Sequence, residues 1–306
     1  MNATQSEFSG PADQPKMAAL VRAFPAQNLH LVDLPYRFSS WAFDHPANVR
    51  LWVDAAGHLI AWAVLQTPVW TLDYAVHPQA GRQIHRQILT WADGRAQRIR
   101  RTPAGRPAWF VNVFAWQTAR IRDLEEAGFT SQADKGSDSW SKVLLQRPPR
   151  LPVAGCALPA GFMIRPLAGQ TEVEAYVELH RLVFESKNMT VEWRERTLRQ
   201  PEYLPDLDLV VVTPDGGLAA FCVCWLNRNQ DGASSGQVEP LGVHPGYRRL
   251  GLGRAILSAG LQRLQIYGVQ SIFVETDRER SPAFKLYETV GFHVTQDVLV
   301  YRKDYE

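Results

Sequence analysis

The sequence predicts a mixed α/β protein made of two tandem copies of one mixed-sheet domain. Three observations carry this. Strand-like and helix-like stretches alternate along the whole chain. Short signatures recur in the same order: Y-A-V-H-P at 74–78 is matched by L-G-V-H-P at 241–245, and E-E-A-G-F at 125–129 by E-T-V-G-F at 288–292. Between the copies lies 146–159, which contains four prolines and reads as a linker. The expected boundaries are 1–147 for the first copy, 148–160 for the linker and 161–306 for the second copy.

In the first copy, 1–15 has the composition of a mobile leader. Residues 17–24 and 36–43 have helical apolar spacing. Residues 49–53 and 58–65 are strand-like around D-A-A-G at 54–57, a hairpin-turn composition. A strand at 70–76 runs into His77 and Pro78. A helix at 83–98, a strand at 109–114, a helix at 117–127 stopped by Gly128 and a strand at 140–145 complete this copy. The second copy opens with a strand at 162–165 and helices at 171–184 and 191–199. Strands at 208–213 and 218–226 flank P-D-G-G, a turn signal, and a polar loop spans 227–236. A strand at 238–243, a helix at 254–264 and a strand at 271–276 follow. Ser281 is a good N-cap with Pro282 at the first helical position, and Gly291 ends that helix. Two closing strands are expected near 292–295 and 298–301.

Composition narrows the function. The chain has 306 residues, enough for two ordinary domains, with 45% hydrophobic and 21% charged residues, which are globular values. A net charge of +2 with no long basic run argues against a nucleic-acid partner. The three cysteines, Cys156, Cys222 and Cys224, lack C-x-x-C spacing, so neither a disulfide framework nor a metal site is expected. The polar N-terminus shows no signal-peptide core, and no apolar stretch is long enough for a bilayer. A soluble, cytoplasmic protein with no membrane partner is expected, as a monomer or homodimer.

The chemistry concentrates between Gln237 and Tyr267. A short apolar strand leads into R-R-L-G-L-G at 248–253 and then into a helix with Leu257, Leu261 and Leu264 on one face. A glycine loop at a helix N-terminus is an anion site in principle. The first N–H groups of a helix have no intrahelical partner, and the helix dipole adds positive potential. Gly251 and Gly253 leave that backbone free of Cβ atoms. No Gly-Lys-Ser/Thr follows, so this is not a Walker loop, and the spacing does not fit the dinucleotide G-x-G-x-x-G.

The loop resembles the pyrophosphate loop of the GCN5-related N-acetyltransferases, the GNAT superfamily, whose pattern is Gln/Arg-x-x-Gly-x-Gly/Ala. L-G-V-H-P resembles that family's fourth strand and its exit, and S-P-A-F-K-L-Y-E-T-V-G-F at 281–292 its Ala-x-x-x-Tyr-x-x-x-Gly-Phe helix. The resemblance covers the whole chain, but its specific motifs lie in 238–292. It implies acetyl-CoA as cosubstrate. The loop Arg248, Arg249, Leu250, Gly251, Leu252, Gly253 and Arg254 would take the pyrophosphate. The strand Leu241, Gly242 and Val243 would hold the pantetheine arm by its backbone, with the Leu241 N–H as oxyanion donor. Glu239 would be the general base and Tyr287 the proton donor to the leaving thiolate. The family often has Asn three residues before the helix alanine, where Arg280 stands here.

Read without the family, Glu239 is also an ordinary water-facing strand residue and Tyr287 an ordinary core tyrosine. Strand alternation groups Glu239 with Leu241 and Val243. His244 recurs as His77, which favours a structural role. The first copy has lost the chemistry: Leu72 stands opposite Glu239, Ile84 opposite Gly251, Arg86 opposite Gly253 and Leu124 opposite Tyr287. The expected activity is therefore acetyl transfer to an amine acceptor, small-molecule or peptide, by the second copy alone. The first copy is expected to be a scaffold. The alternative from another class is a non-catalytic acyl-CoA-binding or sensing module.

Overall fold

The structure is a computed structural model and describes residues 3–133, 141–228, 232–278 and 281–305. In chain order its elements are β1 (Thr4–Glu7), α1 (Gln14–Ala23), α2 (Leu34–Phe38), β2 (Val49–Val53), β3 (Leu59–Gln66), β4 (Thr71–Val76), α3 (Arg82–Ile99), β5 (Ala108–Phe114), α4 (Thr118–Glu126), β6 (Thr130–Ser131) and β7 (Ser141–Arg147). They continue with β8 (Met163–Pro166), α5 (Val173–Phe184), α6 (Val191–Leu198), β9 (Asp208–Val212), β10 (Leu218–Arg228), β11 (Ser234–Val243), α7 (Leu252–Ile266), β12 (Ser271–Asp277), α8 (Ser281–Thr289) and β13 (His293–Asp304).

Two compact units form, and they are not consecutive stretches of chain. The first holds the chain up to Leu34, Ser40–Lys142 and the end from Gln296; the second holds Pro35–Ser39 and Val143–Thr295. The repeat placed each copy within one continuous segment, whereas packing exchanges two short pieces. Strand pairing explains the larger exchange: Val298–Asp304 of β13 form an antiparallel ladder with β5, from Val298 opposite Phe114 to Asp304 opposite Ala108.

The first unit orders its strands β1-β2-β3-β4-β5-β13, and the second β7-β12-β11-β10-β9-β8. Each contains a parallel pair joined through a helix, β4–α3–β5 and β11–α7–β12. Both parallel pairs meet briefly. The β4–β5 ladder is the single pair Thr71 and Phe110, and the β11–β12 ladder ends at Gln237 and Phe273 while both strands run on. The internal repeat is thus a repeat of this splayed unit.

Several expected boundaries move. The leader contains β1, whose polar residues pair with β2 as an edge strand that needs only one neighbour. The helix expected at 36–43 is the short α2 followed by a 3-10 turn at Trp41–Asp44. The expected polar loop at 227–236 is strand at both ends, since pairing extends β10 to Arg228 and starts β11 at Ser234; residues 229–231 lie outside the described residues. The two closing strands are one, β13, which runs unbroken from His293 to Asp304 and pairs with β5 from Val298 onward. Trp140 and Arg280 lie outside the described residues.

In the second unit the two faces of the sheet are covered by different helices. Side chains directly opposite on paired strands share a face. Cys222 and Cys224 of β10 face α7, where Gly260 leaves room; a Cβ there would lie 2.9 Å from one sulfur and 3.2 Å from the other. Phe221 points the other way, with its ring centroid 5.1 Å from that of Tyr176 on α5. Leu252, Ile256, Leu257, Leu261 and Leu264 of α7 are buried in one core with Cys222 and Cys224.

Candidate active site

The expected site residues converge on β11, and a β-bulge decides how. Cys222 pairs with Leu241 and Cys224 with Val238, so Val223 faces two residues, Glu239 and Pro240. An extra residue reverses the side-chain alternation beyond it. The glycines record the reversal. A Cβ on Gly236 would meet Leu264 of α7, whereas one on Gly242 would meet Val183 of α5 and Phe221. In an unbroken strand these two positions would share a face. Glu239 therefore does not share a face with Leu241 and Val243, contrary to simple alternation. Leu241 and Val243 face α7, and Glu239 turns toward α5. Pro240 carries the sequence signal for this, because a proline inside a paired strand has no N–H for the ladder and marks a bulge. The indole N–H of Trp225 donates to the Glu239 carbonyl at 2.7 Å, which anchors the bulge.

On the α5 side, Glu239 is partly buried beside Tyr36 and Tyr176. Burial pushes both phenols up, and the Glu239 charge adds to this in each case. Arg194 is fully buried, ion-paired to Asp208, with its guanidinium 3.7 Å from the centre of the Tyr176 ring. Tyr203 donates to the same carboxylate at 2.7 Å. The Tyr176 hydroxyl, Arg194 Nε and Nη1, Asp208 Oδ1 and His180 Nδ1 are buried without a protein partner. This polar cluster was not legible in the sequence. Tyr176 fitted an apolar helical position, Arg194 lies in a helix half of whose residues are charged, and Tyr36 belongs to the other copy.

Beyond β11 the chain turns at Pro245–Tyr247, and His244 Nδ1 accepts the Gly246 N–H at 3.0 Å. His77 caps the equivalent turn in the first unit, accepting from the Gln79 N–H at 3.1 Å. Both rings are turn caps, as the recurrence suggested. Arg248, Arg249, Leu250 and Gly251 are exposed, and α7 begins at Leu252. Arg249 and Gly251 both have left-handed backbones, with φ of 67° and 78°. The two loop glycines serve different ends. Gly251 allows the positive φ into open space. A Cβ on Gly253 would lie 3.3 Å from Val243 and 3.5 Å from Leu286, so this glycine lets the helix pack on β11. No ion pair to Arg248, Arg249 or Arg254 occurs among the described residues.

Tyr287 lies in the core on the α7 side, 6% exposed, edge-on to Phe292 with centroids 5.7 Å apart. Glu239 and Tyr287 thus belong to opposite faces of the sheet at the splayed edge of β11. The equivalent helix start in the first unit is filled by the unit's own acids. Asp123 bonds Arg82 and His85, and Glu126 bonds Arg82 and, at 2.6 Å, Arg86. Tyr74 completes this network at 2.8 Å from His85 Nε2. Among the described residues no group of three or more potential metal ligands occurs, and no helix is long and apolar enough to cross a membrane.

The chain is similar to known proteins. Residues 173–292 match the acetyltransferase (GNAT) family. Mycothiol acetyltransferase of Beutenbergia cavernae is 27% identical over 95% of this chain and 96% of its own length. That of Thermobispora bispora is 30% identical over 52% of this chain; the chain spans about half the length of this relative, 56% of it. A tandem GNAT protein from the clavulanic acid biosynthesis pathway superposes with a TM-score of 0.67 at 15% identity, covering 99% of this chain and 98% of that one. A GCN5-related N-acetyltransferase from Sphaerobacter thermophilus gives 0.64 at 20% identity, covering 99% and 95%. At these identities the structural likeness is one of fold. Family match, full-length relative and fold agree on one point: residues 173–292 form a domain of the acetyltransferase (GNAT) family.

Proposed function

We propose that the second unit moves the acetyl group of acetyl-CoA to a primary amine by direct attack in a ternary complex. The observation that carries this is the splayed edge of β11 leading into the helix start at 248–254, where Arg248, Arg249 and Arg254 are exposed. The free N–H groups of the first turn of α7 suit a pyrophosphate, and Leu241 to Val243 suit an extended arm lying alongside as an added strand. The amine nitrogen attacks the thioester carbon, and the oxyanion is met by the Leu241 N–H. Glu239 takes the proton that an ammonium must lose. Collapse breaks the C–S bond, and Tyr287 gives a proton to the departing thiolate. Cys222 and Cys224 are buried with their sulfurs packed against Gly260 of α7, which supports a mechanism without an acyl-enzyme. The name of the full-length relative makes a small amine related to mycothiol the first acceptor to assay.

Glu239→Gln tests the reading. The variant is expected to bind acetyl-CoA normally and to lose most activity at neutral pH. The loss should shrink as pH rises, because the acceptor then deprotonates unaided. A pH profile of kcat/KM for both forms decides; an unchanged acidic limb would assign the base elsewhere.

A second reading, a non-catalytic acyl-CoA-binding module, draws on the core position of the Tyr287 ring. Tyr287→Phe separates the two. A proton donor acts only as the thiolate develops, so its loss lowers kcat by about 10²–10⁴-fold at little change in acetyl-CoA affinity. Unchanged turnover in the Phe variant makes Tyr287 a packing residue.

A further inference from the structure

Residues 35–39 belong to the first copy by sequence and to the second unit by packing. They are held there by specific contacts. The Thr190 hydroxyl accepts the Trp193 N–H at 3.1 Å and starts α6, whose inner side carries Trp193 and Arg194, 3% and 0% exposed. The Trp193 indole N–H donates to the Tyr36 carbonyl at 3.0 Å, and the two rings lie 5.1 Å apart at 35°. Ser39 closes the segment by donating to the Pro35 carbonyl at 2.7 Å. Tyr36 is itself only partly buried. Its phenol lies in the field of Tyr176 and Glu239, on the face to which the bulge turns the Glu239 carboxylate.

We propose that Tyr36 is an acceptor-site residue of the second unit. With Glu239 and Tyr176 it walls the space an amine must enter to reach the thioester. Its neutral phenol can accept an N–H of the incoming amine and so orient the nitrogen lone pair. The first copy of the sequence then supplies a side chain directly to the chemistry of the second. This rests on the acetyl-transfer reading, and the test keeps the two apart.

The probe is bromoacetyl-CoA, whose electrophilic carbon occupies the acetyl position of the cosubstrate. A thiolate at the acceptor wall displaces bromide, forming a C–S bond, and the thiol proton passes to solvent. Three variants are compared by peptide mass: Tyr36→Cys, Glu239→Cys, and Met163→Cys as an exposed reference on β8. Tyr36→Cys and Glu239→Cys are expected to label at least ~10-fold faster than the reference, with protection by CoA, because binding raises the local concentration of the reagent. Fast labelling of Glu239→Cys with Tyr36→Cys at the reference rate overturns the proposal. CoA-insensitive labelling of all three overturns the acetyl-transfer reading as well. Should the cysteine loosen α2, Tyr36→Lys repeats the test with acetyl-CoA itself, and the new amine is expected to be acetylated in place. An unmodified amine in the folded protein overturns the proposal.

Discussion

His180 shows how one side chain ties stability to pH. Its ring stacks on Phe221, with centroids 5.6 Å apart at 17°, and is 8% exposed. Burial pushes its pKa down to about 3, helped by the charges of Arg194 and Arg181. The folded ring therefore stays neutral through a range in which the unfolded chain takes up a proton near pH 6.5. The unfolded state binds more protons there, so this contribution is full above pH 6.5 and is lost as pH falls toward 3. The slope is about 1.4 kcal/mol per pH unit. His180→Phe keeps a ring against Phe221 and removes the titration. Chemical denaturation at pH 6.5 and pH 4 should show a loss smaller by up to ~3 kcal/mol in the variant than in the parent. Equal losses would mean that the ring is protonated in the folded protein at pH 4.

At the scale of elements, α3 and α7 are the same helix put to different use. Both follow a strand and a Val-His-Pro turn capped by the histidine ring. At the start of α7 the arginines are exposed and their anion is proposed to be a pyrophosphate. At the start of α3, Asp123 and Glu126 from α4 already neutralise Arg82 and Arg86. A second pyrophosphate there would have to break those pairs and lie beside carboxylates. Calorimetry with CoA is therefore expected to give one site per chain, and a stoichiometry of two would refute this account. Most of this was legible, because it rests on local signals: the glycine loop, the Gly-Phe helix stop and the losses at Ile84, Arg86 and Leu124. Less legible was everything set by pairing between distant strands. Glu239 was singled out as a candidate by its place in a motif, but its face was misread because alternation assumes an unbroken strand. Pro240 was the available warning. The Arg194–Asp208 pair had none, since a buried ion pair looks like two ordinary charges until the fold brings α6 onto β9.

At the scale of the molecule, the sequence repeat and the packing units disagree, and the disagreement makes a prediction about truncation. A fragment starting at Pro152 contains every residue of the second copy's motifs, and by the repeat alone it should fold. By packing it should not fold well. It keeps β13 from Gln296 onward but loses β5, the strand that segment pairs with. Val298, Val300 and Tyr301, buried to 0%, 2% and 3% exposure, would meet water. Burying such side chains is worth about 1.5–3 kcal/mol each, a large share of the stability of an ordinary domain. The fragment also lacks β7, where Val143 and Leu145 are fully buried and Arg147 donates to the Val290 carbonyl at 2.7 Å. Finally it lacks Tyr36. The fragment is expected to self-associate or to melt well below the full chain, in sedimentation velocity and calorimetry respectively. Co-expression with residues 1–151 should restore both behaviours, since that piece returns β5, β7 and 35–39 together. A fragment that is monomeric, melts with the full chain and acetylates at full rate would show that the exchanged segments carry no stability and that the first copy contributes nothing to the chemistry.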